Sequence, residues 1–270
     1  MSKSPPPTAL REFCKHGETL LSGHSKWSSI KHKKAATDAK KGQLFTKLAR
    51  DITMAARQGD PDPSINAGLR LAIQKAKQAN MPNDNIDRAV KKAMGAGESD
   101  NLEEVTYEGY GPGGTAVIVQ AVTDNRNRTV AEVRHAFSRG GGNMADSGAV
   151  SWQFDQRGLI TVLTGERDPE DLALVAIEAG AVDVDLSGDE TIEVVTEAAE
   201  LHKVRESLEA EGLSVDAAEL APVPKSRIAL EEKDALAALR LFERLDELDD
   251  VSRVYSNADW DEAVLEAYAG

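Results

Sequence analysis

"LITVLTGERDPEDLALVAIEAGAVDVDLSGDETIEVVTEAAELHKVRESLEAEGLSVDAAEL", residues 159–220, decides the fold. "LITVL" reads as a strand. "DPEDLALVAIEAG" reads as a helix, with Asp168 as N-cap, Pro169 in the first turn and Gly180 at the stop. "AVDVDL" and "TIEVVT" are strands around the turn "SGDE". "EAAELHKVRESLEAEG" is a second helix and "LSVDAAEL" starts a further strand. The order β-α-β-β-α-β is the split βαβ of ferredoxin-like folds, an antiparallel sheet with two helices on one face.

The flanks repeat the theme. A strand at 115–123, a helix at 128–139 and a strand near 149–154 precede this unit. A strand at 222–230, a helix at 231–248 and the strand "VSRVYS" follow it. "GAVSWQFDQRGLITVL" reads as two strands joined at 155–158. The expected architecture is therefore α+β, with two ferredoxin-like α/β domains, one inserted into the other. The acidic insert takes 156–219, and the discontinuous host takes 100–155 plus 220–270.

An N-terminal helical bundle comes before them, at 23–99. Leu44, Phe45, Leu48, Ile52 and Ala56 make one apolar stripe at helical spacing. A shorter helical turn is expected at 30–39, ending near Gly42. After the breaker "GDPDPS", Ile65, Leu69, Ala72, Ile73 and Ala76 make a second stripe, with Arg70, Lys75 and Lys77 facing outwards. "MPNDN" breaks the chain and offers Asn83 or Asp84 as an N-cap. Ile86, Ala89, Val90, Ala93 and Met94 make a third stripe, closed by "GAG".

Charge is segregated along the chain. Residues 23–95 hold 15 Lys and Arg against 6 Asp and Glu, a net of +9, whereas residues 96–270 hold 14 against 38, a net of −24. The densest stretch, 23–50, has eight Lys or Arg and one acid, Asp38. A solvated helical face is the ordinary reading of a charge run, but the contrast with the acidic remainder argues for a polyanion-binding surface. Its candidate contacts are Lys26, Lys31, His32, Lys33, Lys34, Lys40, Lys41, Lys47 and Arg50, which would neutralise phosphates and release counterions. Trp27 serves equally to stack on an exposed base or to anchor the N-terminal arm. Arg126, Asn127 and Arg128 of "TDNRNRT", with Arg139 before three glycines, are candidates for a second contact surface. An ordinary helix stop and turns explain that stretch equally well.

Other classes find little support. No apolar run is long enough to cross a membrane as a helix. The first 22 residues lack the apolar core of a signal peptide. The single cysteine, Cys14, excludes internal disulfides and a cysteine-based zinc site, as expected of a reducing cytoplasm. His24 and His32 lack convergent carboxylates and sit among repelling lysines, so no metal is expected. "GYGPGG" lacks the Lys-Ser/Thr of a P-loop and precedes a strand. No nucleophile elbow and no H-E-x-x-H is present. The chain reads as a non-enzyme without cofactor or small-molecule substrate.

"GHSKWSSIKHKKAATDAKKGQLFTKL" resembles the opening of the YebC/PmpR family, which includes mitochondrial translational activators of cytochrome oxidase. The resemblance continues through "NMPNDNIDRAVKK", "YEGYGPGGTAVIV", "TDNRNRT" and "GGNMADSGAVSWQF". It implies an N-terminal helical domain and two α/β domains, one inserted in the other. It also implies a cytoplasmic regulator of transcription that binds DNA. A second view of the family implies a ribosome-associated factor that contacts rRNA or tRNA and eases translation through difficult stretches such as proline runs. Carried over by position, the contacts fall between Lys26 and Arg50. No helix-turn-helix with a recognition helix stands out, so charge rather than base readout is expected. The family pattern starts close before G-H-S-K-W. Residues 1–22 are therefore expected to be disordered, and residues 1–20 to be a misannotated leader, with translation starting at Leu21.

Overall fold

The structure, a computed structural model, describes residues 38–95, 102–186 and 191–261, with Val264 and Tyr268. The expected leader and Lys26 through Lys34 lie outside the described residues. The architecture is mixed α/β, with N-terminal helices followed by β-sheet domains.

Helices α1 (Asp38–Gln58), α2 (Ala67–Gln78) and α3 (Asn83–Met94) form the bundle. Their stripes meet in a core of Leu48, Ile52, Ala56, Leu69, Ala76, Met81, Ile86 and Ala89. Asn66 caps α2 by accepting from Leu69 N–H at 3.0 Å, and its amide donates to Ala55 O and Asp60 O, both at 2.8 Å. Two local expectations fail here. The helix does not stop at Gly42 but runs through it, because one glycine costs only about 1 kcal/mol and the stripe beyond it is packed. Neither Asn83 nor Asp84 caps α3, whose N-cap is Pro82 without a side-chain bond.

The first sheet contains β1 (Glu103–Tyr110), β2 (Ala116–Thr123), β3 (Asn143–Ala145) and β9 (Val251–Ser256), in the order β3-β1-β2-β9 and antiparallel throughout. Helices α4 (Arg126–Arg139) and α7 (Glu232–Asp246) cover one face. The core there includes Val117, Val119, Phe137, Leu239, Leu241 and Leu245. The second sheet contains β4 (Phe154–Leu163), β5 (Asp183–Asp185), β6 (Thr191–Glu197) and β7 (Ser214–Pro224), in the order β5-β6-β4-β7. Helices α5 (Pro169–Glu178) and α6 (Leu201–Ala210) pack on it over Ile160, Leu172, Ile192 and Leu208. Strand order and helix placement are those of the split βαβ.

A third core joins the two sheets through Ala116, Ile118, Val150, Phe154, Leu159, Val195, Ala221 and Tyr255. Alternate residues of β2 therefore enter different cores. That explains why its sequence is apolar almost throughout rather than at every second position.

The first sheet departs from the expected strands. It opens with a hairpin, since β1 is a strand that its three glutamates conceal in the sequence. Residues 151–153 form a 3-10 turn instead of a strand, and β4 begins at Phe154 and runs unbroken through 155–158. Ser214–Pro224 is one strand across the expected boundary at 219 and 220. Between it and α7 the ladder residues are those of β8 (Ile228–Ala229), paired in parallel with β10 (Ala258–Asp259). Gly109 of β1 is forced by close packing: a Cβ there would lie 2.6 Å from the Phe137 ring and 2.7 Å from Asn143 O. Gly109→Ala is expected to cost about 1–3 kcal/mol, read as a lower urea midpoint with unchanged slope.

Candidate nucleic-acid interface

The cations of the helical domain divide into two sets. Lys40 and Lys41 fall in the first turn of α1, and Lys41 is exposed. On α3, Arg88, Lys91 and Lys92 are exposed and spaced i, i+3 and i+4, so they share one face. Ile86 and Ala89 are buried on the other side. On α2, Arg70, Lys75 and Lys77 are exposed, as their spacing predicts.

Lys47 and Arg50 belong to the second set, turned against the acidic end of α7 and the start of β9. Lys47 Nζ donates to Asp246 O and lies 3.8 Å from the Asp246 carboxylate. Arg50 donates to Asp249 O and forms an ion pair with Asp250 at 3.0 Å. Asp250 is 2% exposed at its side chain. Its Oδ2 accepts from Thr129 Oγ1 at 2.6 Å, Arg128 Nη2 at 2.7 Å and Thr123 Oγ1 at 3.1 Å. Burial pushes this carboxyl up, but the bonds from Thr129 and Arg128 and the charge of Arg50 outweigh it and hold it below its ordinary range.

Arg128 is therefore part of a latch between α4, β9 and α1, and it also pairs with Asp124 at 2.9 Å. Arg126 and Asn127 are exposed in the first turn of α4, which Asn125 caps by accepting from Arg128 N–H. Arg139 is exposed at the far end of the same 14-residue helix, about 20 Å away at 1.5 Å per residue. The structure thus splits the second candidate surface into two ends.

A cleft of about 330 Å³ separates the helical domain from both sheets. Asp51 from α1, Lys75 from α2, Asp216 and Glu219 from β7 and Arg253 from β9 line it. Arg253 donates to Glu219, and the charge of Glu219 pushes the guanidinium pKa up. The Arg253 side chain remains 30% exposed. Burial pushes the Asp51 carboxyl up, against the pull of Arg253 and Lys75.

Glu108 is 5% exposed, yet its carboxylate accepts from three backbone amides, Gly148 at 2.8 Å, Val150 at 2.7 Å and Ser151 at 2.9 Å. Burial raises its pKa, but these bonds prevail and hold it below the ordinary 4.5. The contribution to stability is present above that value and is lost as pH falls through the folded one. Glu108→Gln, which turns an amide donor against a donor, is expected to cost roughly 1–3 kcal/mol at neutral pH. The gap from wild type should close on acidification.

Among the described residues, no helix is long and apolar enough to cross a membrane, and no three His, Cys, Asp or Glu stand together as metal ligands. Sequence reasoning missed the cationic face of α3, the buried acids Asp250 and Glu108, and the exposed Trp152. Only the first had a readable signal, in the spacing of Arg88, Lys91 and Lys92 opposite the apolar stripe.

A family model described as the TACO1/YebC protein N-terminal domain matches residues 25–96. A second, described as the TACO1/YebC second and third domain, matches residues 102–258. A probable transcriptional regulatory protein of Dehalococcoides mccartyi is 53% identical over 248 residues, covering 92% of this chain and 98% of that one. A protein of the same description from Chloroflexus aggregans is 51% identical over 251 residues, with 92% and 99% covered. The crystal structure of a conserved hypothetical protein from Aquifex aeolicus superposes with a TM-score of 0.82 at 47% identity, covering 88% of this chain and 98% of that one.

Proposed function

Because this chain belongs to the TACO1/YebC family, we propose that it is a cytoplasmic, nucleic-acid-binding regulator of gene expression whose basic helical domain is the contact surface. Its relatives are named probable transcriptional regulatory proteins, and the chain is a regulator of that type. The observation that supports a nucleic-acid partner is charge segregation. Net charge is +9 over residues 23–95 and −24 over residues 96–270, and the exposed cations of α1, α2 and α3 stand on the positive part. Binding rather than catalysis is the activity. The contact is to phosphate, which makes it salt-dependent and weakly selective for sequence. The acidic body repels the same polyanion and so limits the ways in which it can settle.

The test is a titration of labelled duplex DNA and of a structured RNA of equal length at several salt concentrations. It uses wild type and a variant carrying Lys33→Glu, Lys34→Glu, Lys40→Glu and Lys41→Glu. Wild type should bind, with log K falling linearly against log salt by about 0.9 per phosphate neutralised on duplex DNA. The variant should bind at least tenfold more weakly, with a shallower slope. Wild type that binds neither nucleic acid near physiological salt contradicts the proposal. A preference for the RNA moves the regulatory step from transcription to translation.

A further inference from the structure

The loop that Glu108 holds leads directly into Trp152, whose ring is 67% exposed. Tyr110, two residues beyond Glu108 on β1, is 40% exposed. Both rings are fastened to one atom: Trp152 Nε1–H donates to Ala149 O at 3.0 Å and Tyr110 O–H donates to it at 3.1 Å. Neither ring stacks on another aromatic ring among the described residues. Two large apolar rings are therefore fixed at their polar edges with ring surface left to solvent, one at the end of β1 and one on a turn clamped by a buried carboxylate.

The surroundings are polar and partly cationic. Lys225 Nζ donates to Trp152 O at 2.9 Å and lies 3.3 Å from Asp155. On the other flank, Asn143 is paired with Tyr110 across the β1–β3 ladder. The three glycines after Arg139 lead into it, and a Cβ on Gly142 would lie 2.6 Å from Tyr110 O. Gly141 has φ +78° and nothing within 4 Å of the position where a Cβ would stand. A protein hot spot sits within apolar surface that excludes water. Here Asn143, Ser147, Ser151 and Gln156 are exposed instead. Locked aromatic faces beside a lysine fit unpaired bases, whose faces stack while a phosphate meets the charge.

We propose that Trp152 and Tyr110 form a stacking platform for unpaired bases of a single-stranded nucleic acid, with Lys225 beside Trp152 for a phosphate. This rests on the nucleic-acid reading above and adds, at one place on the otherwise repelling acidic body, a second contact in which stacking rather than charge carries the affinity.

The test uses the full chain, nitrogen-15 labelled, titrated with a short oligoadenylate RNA and with a duplex of equal length. The Trp152 indole resonance is assigned with Trp152→Phe. At saturation with the single strand, that resonance should move while that of the buried Trp260 stays in place. Trp152→Ala, with its Trp260 resonance unchanged as a control of folding, should bind the single strand roughly tenfold more weakly or worse and the duplex as well as wild type does. A saturated single-strand complex that leaves the Trp152 resonance unmoved overturns the platform and leaves charge-driven binding intact. A duplex that moves the resonance equally also overturns it, because stacked bases present no free face. Self-association lost in Trp152→Ala without any oligonucleotide effect assigns the rings to a protein contact instead. No complex with any nucleic acid overturns this inference together with the reading beneath it.

Discussion

Asp250→Ala is expected to lower the folding free energy by about 3 kcal/mol, toward the lower end of the range for breaking a buried ion pair. The carboxylate is the only acid that touches both Arg50 from α1 and Arg128 from α4 in the ion pairs described. Its removal leaves two guanidinium groups and the hydroxyls of Thr123 and Thr129 without their common acceptor. Part of the Arg128 side chain remains in water, at 43% exposure, and this moderates the loss. The carboxyl is held below its ordinary value of 3.8. The contribution is therefore whole above that value and disappears as pH falls through the folded one. Urea unfolding of wild type and variant at neutral and acidic pH measures both points. A neutral-pH difference under 1 kcal/mol would mean that the latch does not hold the helical domain.

Arg253→Met is expected to cost about 2–3 kcal/mol, because it leaves Glu219 without its guanidinium and Asp51 with one cation fewer in the same cleft. Asp51 supplies the converse. Its folded pKa is raised above 3.8 by burial, so the ionised form is disfavoured by folding. Stability is lost as pH rises from 3.8 through the folded value. Asp51→Asn should therefore raise the urea midpoint at neutral pH. It should also recover part of the Arg253→Met loss, since the two side chains share one site and do not add. An Asp51→Asn effect of the same size in wild type and in Arg253→Met would show that Asp51 and Arg253 do not interact.

Local order was legible in the sequence where one rule dominated. The β-α-β-β-α-β unit could be read because Asp168, Pro169 and Gly180 mark a helix between apolar runs. The three basic helices could be read from their stripes. The opening strand of the first sheet was hidden because Glu103, Glu104 and Glu108 carry charge in a strand. Glu108 is tolerated there only through three backbone amides brought from residues 148–151, about forty positions away. Lys47 and Arg50 looked the same as their basic neighbours for a related reason. What sets them apart is Asp246 and Asp250, roughly two hundred positions later, which only the folded chain brings to them. Gly42 misled because a glycine in a helix is a small cost that tertiary packing readily exceeds.

We propose a division of labour among these cations: Arg88, Lys91 and Lys92, exposed on α3, would meet the nucleic acid, whereas Lys47 and Arg50 dock the helical domain on the acidic body. The most direct measurement is the salt dependence of nucleic-acid affinity in two double variants. Lys91→Glu with Lys92→Glu should lower affinity at least tenfold and flatten the slope of log K against log salt. Lys47→Met with Arg50→Met should lower stability while leaving that slope unchanged. A flattened slope in the Lys47 and Arg50 variant, with none in the Lys91 and Lys92 variant, would overturn this division.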